Sequence, residues 1–394
     1  MRWIGIALCA WAAIAGVFSL ASALGAARLW RRARRRPAPT TWPAIAILRP
    51  CEGDEGALEG KLLSSATARY DGPREVWLLV PSAGDGSRAA AERAKARARE
   101  LAPSVRVEVL VTEIATPANR KAAQLAVACA RLDDRATVIV TADSDVLLDD
   151  TSLPALVSAL DNERIAAASA PPVEIALGRA TSITDRLSSV VLSSSQQSFL
   201  ALSGMADLGG GIPQIGGALL ALRRDALPLL DGFRALEPFL GEDHEMTMRL
   251  TAAGLGIATS GAAARCGEPV RSVSEIIRRF GRWALVVRRQ RPALFVTYFL
   301  LLAPTPLVLA IALAMHTRET LLAAGGLVLA RATLALVLRA CLGLGANPLW
   351  ALVAALVAES EIFLGATLAL FSTSITWRDR RYTVGPRGVL LPRD

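Results

Sequence analysis

The sequence predicts an α/β protein with a doubly wound, mostly parallel sheet, carried between N-terminal and C-terminal transmembrane helices. Short β-branched or apolar runs begin at Ala44, Glu75, Val105 and Thr137, spaced 31, 30 and 32 residues apart. Helix-like segments fill the gaps at 56–68, 87–101 and 119–132. Strands alternating with helices at this spacing build βαβ units and a parallel sheet covered on both faces. The third observation is composition: over 394 residues, 53% are hydrophobic and 20% charged, with mean hydropathy +0.39. That is too apolar for an ordinary soluble enzyme and too charged for a chain lying wholly in lipid.

Residues 1–27 form the first element. From Trp3 to Ala27 there is no charge, enough to span roughly 30 Å of hydrocarbon as a helix. A cleaved signal peptide starting at Arg2 is the alternative. The run is long for that role and ends in Arg28, Arg31, Arg32, Arg34, Arg35 and Arg36, so a retained anchor and a basic linker over 28–41 are expected. The positive-inside rule keeps those arginines cytoplasmic, and residues 42–272 with them. The expected location is an integral membrane protein facing the cytoplasm, at the inner membrane in a bacterium.

An amphipathic interfacial helix is expected over 273–291, membrane segments over 292–372 and a basic cytoplasmic tail over 373–394. Polar interruptions at 316–320 and 343–348 suggest three C-terminal segments. Three crossings would place Arg378, Arg380, Arg381 and Arg387 opposite the first arginine cluster. A break at Pro304 and Pro306, turning the first segment into an interfacial or re-entrant piece, would remove the conflict. The number of crossings stays open.

The net charge of +9, from 44 Lys and Arg against 35 Asp and Glu, suits an anionic membrane surface or anionic substrates. Nucleic acid is not an expected partner, because only 5% of residues are aromatic and no reader motif occurs. Cys9, Cys51, Cys129, Cys266 and Cys341 are odd in number and scattered, implying neither a disulfide framework nor a CxxC metal site. Residues 88–100 are basic, but their alanine spacing fits a surface helix resting its Ala face on the sheet. No GxGxxG follows the first strand, which disfavours a dinucleotide fingerprint.

Ligands of open parallel sheets bind at the carboxyl ends of strands, and the fourth strand ends in Asp143-Ser144-Asp145. Such a pair is an ordinary turn signal. At this position it also fits a hard divalent ion, Mg²⁺ or Mn²⁺, held by Asp145 and Asp143 together with substrate phosphate oxygens. Later, Gly241-Glu242-Asp243-His244-Glu245 opens a helical stretch. It reads either as an acidic first turn favouring the helix dipole or as the seat of a general base. His244 is expected as a neighbour rather than a metal ligand, since the other histidine, His316, falls among the apolar segments. Residues 274–290 carry Arg278, Arg279, Arg282, Arg288 and Arg289 among apolar residues. This is a lipid-surface helix in which Arg279 and Arg282, one turn apart, also suit a pyrophosphate.

Taken in order, these motifs resemble an inverting family 2-type glycosyltransferase, and more closely the ceramide glucosyltransferase family with its hopanoid-associated relatives. The matching residues are Asp143-Ser144-Asp145, Asp243 and Arg279-Phe280-Gly281-Arg282-Trp283, standing for a DxD-like element, a later Asp and (Q/R)xxRW. Further matches are Leu48-Arg49-Pro50, Asn119-Arg120-Lys121, Gly216-Gly217-Ala218 before Leu222-Arg223-Arg224, and residues 374–382 near the end. The resemblance implies a GT-A-like sheet and transfer of a hexose, glucose first, from a UDP-sugar donor to the hydroxyl of a membrane lipid, ceramide first. It implies Asp243 as base, and Asp143, Lys121, Arg279, Arg282 and Asp85 on the donor diphosphate side. Trp283 and Glu242 fall on the acceptor side, and Asp145 with Asp143 at the metal. After the second strand the family usually has an Asp, whereas this chain reads Val80-Pro81-Ser82-Ala83-Gly84-Asp85. Either Asp85 reaches the nucleotide from a shifted loop, or Ser82 substitutes, or that contact is lost. Ser195-Gln196-Gln197 stands where ceramide enzymes carry a His. Transfer of N-acetylglucosamine to a hopanoid lipid is the nearer alternative, and a non-catalytic membrane adaptor on a degenerate fold the more distant one.

Overall fold

The apolar runs become the strands of one large sheet. The computed structural model describes residues 2–114, 119–176, 190, 193–194, 198–211, 213–268, 272–377 and 380–393. Contacts divide the chain into two units: Leu29–Leu177 with Gly210–Pro269, and Met1–Arg28 with Gly178–Gly209 and Val270–Asp394.

The first of these holds β1 (Ile45–Pro50), β2 (Arg74–Val80), β3 (Arg106–Val111), β4 (Val138–Ala142), β5 (Val146–Leu147), β6 (Ile165–Ser169), β7 (Pro172–Ala176), β8 (Leu219–Arg223), β9 (Gly256–Thr259) and β10 (Ala264–Glu268). Seven pair in the order β3-β2-β1-β4-β8-β6-β9. The β1–β2, β1–β4, β2–β3 and β6–β9 pairs are parallel, while β8 runs antiparallel to both β4 and β6. Every residue of β1 and β4 is buried, which is why both read as continuous apolar runs rather than alternating ones. Ile45 and Ile47 pack on one face with the helices Leu58–Thr67 and Ser87–Leu101. Ala46 and Leu48 pack on the other with the helix Arg120–Cys129. The sheet is therefore wound on both sides, as the sequence predicts. The basic helix Ser87–Leu101 buries Ala90, Ala91, Ala94 and Ala98 against it. Because β1 leads to β2 and β3 on one side and borders β4 on the other, the chain reverses its winding between β1 and β4. That is where open α/β sheets bind ligands. A smaller sheet, β5-β10-β7, lies in the same unit.

In the other unit, the helices Arg318–Cys341 and Pro348–Phe371 are long and apolar enough to cross a membrane, as is Arg2–Arg34, which begins there. Pro292–Leu302 and Thr305–Met315 form a pair bent by 50°, a fourth crossing if counted as one span. The bend falls where Pro304 and Pro306 predict it. Backbone groups released by a break at membrane depth need partners, because lipid offers none. Trp11 Nε1 donates to Leu300 O at 2.8 Å, and Arg331 donates to Leu301 O. Thr305 N donates to Glu359 Oε2 at 3.0 Å. Arg331 and Glu359, each only 5% exposed, pair at 3.1 Å. Small residues bring helices together: a Cβ on Gly25 would lie 2.4 Å from Gly204 O, and one on Gly365 would lie 2.5 Å from Phe280 Cβ. The tail folds as an antiparallel sheet of β11 (Ser374–Trp377), β12 (Arg380–Val384) and β13 (Leu390–Pro392). Arg378, Asp379 and Ser195-Gln196-Gln197 lie outside the described residues.

Candidate active site

At the carboxyl end of β4 the backbone turns through Asp143-Ser144-Asp145, closed by Val146 N donating to Asp143 O at 3.0 Å. Asp143 N donates to Ala218 O at 2.8 Å, which aligns this turn with the Gly216-Gly217 segment entering β8. Lys121 reaches the turn from the helix Arg120–Cys129. Asn119 caps that helix, accepting from Ala122 N at 3.1 Å, and donates through Nδ2 to Phe239 O at 2.9 Å and Glu242 Oε2 at 3.1 Å. This fully buried asparagine ties two helix starts together although 123 residues separate it from Glu242.

Lys121 Nζ consequently lies 2.6 Å from Asp143 Oδ1, 3.0 Å from Glu242 Oε1 and 2.8 Å from Gly217 O. Glu242 has one oxygen on Asn119 and the other on Lys121. Asp243, next along the helix Glu242–Ala252, accepts from Gly217 N on Oδ2 at 3.1 Å and from His244 N on Oδ1 at 2.7 Å. His244 Nδ1 lies 3.0 Å from Gln214 Oε1. A Cβ on Gly217 would stand 3.3 Å from both Asp243 Oδ2 and Lys121 Nζ. Glycine is thus the residue that allows the Asp243 carboxylate, the Lys121 ammonium and the backbone to meet.

Burial raises Asp243 to about 6; the Glu242 charge adds to this, while Lys121 and the N–H groups of His244 and Gly217 oppose it. Burial likewise raises Asp143 to about 6, against Lys121 and with Asp145 and Glu242. Asp143 keeps 36% of its side chain exposed, so the surrounding protein acts on a carboxylate that still meets solvent. Burial alone would lower Lys121, but Asp143 and Glu242 outweigh it and raise the ammonium. It stays charged. A carboxylate near 6 is ionised at neutral pH yet a stronger base than an exposed aspartate, as a general base requires.

The carboxylates of Asp143 and Asp145 suit a hard cation. Among the described residues no three His, Cys, Asp or Glu side chains converge closely enough to cage an ion. Two carboxylates completed by phosphate oxygens form the donor set Mg²⁺ or Mn²⁺ accepts. The residues fit such an ion only together with a phosphorylated ligand.

Asp85 lies in the loop between β2 and the helix Ser87–Leu101. Its Oδ1 accepts from Gly53 N at 2.9 Å, Ser87 N at 2.9 Å and Ser87 Oγ at 2.6 Å. Burial alone would raise the Asp85 carboxyl, but these bonds outweigh it and hold the carboxyl below its usual range. Asp85 thereby starts the helix Ser87–Leu101 and anchors the loop after β1 at Gly53, whose φ is +73°. Arg279, Arg282 and Trp283 belong to the other unit, on the helix Val273–Gln290. That helix begins with a capping box between Ser272 and Glu275. The Arg279 guanidinium carbon lies 5.1 Å from the centre of the Trp283 ring, a cation–π contact. Phe280 meets the same ring edge-on at 5.2 Å. Sequence reasoning matched Leu48-Arg49-Pro50 and Asn119-Arg120-Lys121 to the family without giving Arg49 or Asn119 a role, and it passed over Glu55. A charge near the end of the otherwise apolar β1 was a further signal for Arg49.

The profile for Glycosyl transferase family 21 matches residues 8–390. The chain belongs to this family. It is a glycosyltransferase, and the match runs through both the sheet and the long apolar helices. No curated protein matches the chain. Among solved structures, this family 21 chain is similar to a mannosyltransferase from Pyrobaculum calidifontis in complex with GDP-Man and Mn²⁺. Identity is 18%, with 92% of this chain and 99% of that one covered at a TM-score of 0.49. It is similar to glucosyl-3-phosphoglycerate synthase from Mycobacterium tuberculosis, in complex with Mn²⁺, UDP-Glc and phosphoglyceric acid, at 18% identity. That match covers 60% of this chain and 75% of the other, with a TM-score of 0.37. At these values neither likeness bears on donor, acceptor or metal.

Proposed function

We propose that this family 21 glycosyltransferase moves a hexose, glucose first, from a UDP-sugar to the hydroxyl of a membrane lipid, ceramide first, at the cytoplasmic face, with inversion. The observation carrying the reading is the Lys121 bridge, which joins the end of β4 to the helix start bearing Asp243. Asp243 takes the proton of the lipid hydroxyl as its oxygen forms a bond to the anomeric carbon. The bond from that carbon to the diphosphate oxygen breaks on the opposite face, and UDP leaves with the electron pair. Asp143 and Asp145 would hold Mg²⁺ or Mn²⁺, which when bound supplies Lewis-acid stabilisation of charge on the departing diphosphate. Lys121 balances Asp143 and Glu242, and Arg279 and Arg282 are the further cations assigned to the diphosphate. Asp85 contributes to the donor side by holding the Gly53 loop. Glu242 and Trp283 are assigned to the acceptor side, Trp283 as an apolar wall for the lipid. The apolar helices keep enzyme and lipid on one anionic surface, which supplies proximity.

The test is incubation of the protein in membranes with radiolabelled UDP-glucose, UDP-galactose and UDP-N-acetylglucosamine, followed by lipid extraction. Label from UDP-glucose in ceramide is the expected result. Label from UDP-N-acetylglucosamine in a hopanoid fraction would move the assignment to that relative. Absence of lipid label from every donor would overturn lipid glycosylation.

A further inference from the structure

Beneath the Asp143-Ser144-Asp145 turn lies an arginine that none of the chemistry above uses. Arg49 stands in β1 and is 0% exposed. Its Nη2 donates to Val146 O at 2.8 Å and Ser144 O at 3.3 Å, and its Nη1 donates to Ser65 Oγ at 3.2 Å. Those carbonyls belong to the residues on either side of Asp145, so one guanidinium holds the peptide group entering Asp145 and the one leaving Val146. Ser144 is tied a second time, its Oγ donating to Glu55 Oε2 at 2.8 Å. Asp145 O accepts from Gly267 N at 2.8 Å.

A buried cation is costly to retain for packing alone, since apolar residues of similar volume are often neutral or stabilising replacements. The cost is higher here because Arg49 Nε has no hydrogen-bond partner among the described residues. The offset comes from its surroundings. Burial lowers Arg49, and Cys51 first, then the charges of Asp145, Asp143 and Glu55, act against that. The arginine therefore sits where carboxylate charge accumulates and where the turn exposes two carbonyls. A lysine keeps the charge but, as a point donor, cannot span Ser65 and both carbonyls as a planar fork does.

We propose that Arg49 is a positioning residue for the metal-binding turn: by bridging the carbonyls of Ser144 and Val146 it fixes the direction in which Asp145 presents its carboxylate to a divalent cation. The inference rests on the reading of Asp145 and Asp143 as the metal ligands. It is tested with the full-length protein in detergent, measuring Mn²⁺ binding in the presence of UDP by electron paramagnetic resonance, for wild type, Arg49→Lys and Arg49→Met. Partners that orient a metal ligand are worth about 10–100-fold in affinity. Both variants are expected to weaken Mn²⁺ by that order, with Arg49→Met weaker than Arg49→Lys, while the KM for the lipid acceptor stays unchanged. Melting without metal reports folding; if Arg49→Met does not fold, Arg49→Lys decides. A folded Arg49→Lys that binds Mn²⁺ as wild type does would overturn the positioning role. So would a lowered melting temperature with unchanged Mn²⁺ affinity, the result of a purely structural arginine. Wild-type protein showing no UDP-dependent Mn²⁺ binding would instead overturn the metal reading itself.

Discussion

Gly217→Ala adds one methyl group at the point where the proposed base and its neighbouring cation meet. The new Cβ would stand 3.3 Å from Asp243 Oδ2, 3.3 Å from Lys121 Nζ and 3.4 Å from Asp243 Cβ. Gly217 is not among the glycines with positive φ, so alanine adopts its backbone without strain and the effect comes from contact alone. Relief to ordinary van der Waals spacing moves Asp243 and Lys121 by a few tenths of an ångström and lengthens the bond from Gly217 N to Asp243. A misplacement of about 1 Å in a catalytic arrangement costs on the order of 100-fold, so a displacement of a few tenths should lower kcat by roughly 4-fold. Gly216→Ala is the control. Its Cβ meets Pro172 Cδ at 3.3 Å and Ser169 Oγ at 3.5 Å, equal crowding away from the base. Steady-state kinetics with donor and acceptor varied separately, beside melting curves, checks the result. Wild-type kcat in folded Gly217→Ala, or equal losses in both variants, would refute the claim that this glycine positions Asp243.

Asp243→Asn should fold, retain UDP binding and lose about 10²–10⁴-fold in kcat, the usual worth of a general base; turnover within 10-fold of wild type would exclude Asp243 from that role. Excess chelator should abolish transfer, with Mg²⁺ or Mn²⁺ restoring it, and full activity in chelator would remove the ion from the reading. In the helical unit, Glu359→Leu should cost about 3–5 kcal/mol of stability, because it leaves Arg331 buried without its carboxylate and Thr305 N without its acceptor. Thermal unfolding in detergent measures the loss, and a variant as stable as the wild type would contradict it.

Legibility in the sequence followed local physics. The strand runs at 44 and 137 appear as β1 and β4, buried throughout, and those at 75 and 105 as β2 and β3, which are partly exposed and carry charges at their outer positions. Asp143-Ser144-Asp145 was readable because it follows such a run at the carboxyl edge. The junction itself was not. Asn119 to Glu242 and Lys121 to Gly217 are contacts between residues about a hundred positions apart, and no periodicity carries that distance. Asp85 carries two signals. The family resemblance assigns it to the nucleotide, while Asp followed two residues later by Ser87 is also the signal of a helix start, the role its bonds to Ser87 serve.

Asp243 sits in the first turn of a helix and accepts two backbone N–H groups, conditions that pull a carboxylate's pKa down. That it nevertheless lies near 6 is traced first to burial and then to Glu242. Lys121 is the nearby cation that would undo the effect, and its ammonium pairs with Asp143 and Glu242 instead. Glu242 thus has two consequences of one sign: its charge raises Asp243, and its carboxylate draws Lys121 toward itself. Glu242→Gln removes both and should lower Asp243. Asp143, also near 6 and also raised by Glu242, should fall with it, so the sign holds whichever of the two governs the titration. In the wild type, kcat/KM should fall below about pH 6 as the base takes up a proton. In Glu242→Gln that acid limb should move to lower pH. A pH profile from 4.5 to 8 on both proteins, with folding verified at each end, measures it. An unmoved limb, or one displaced upward, would mean that Glu242 does not set the basicity of Asp243.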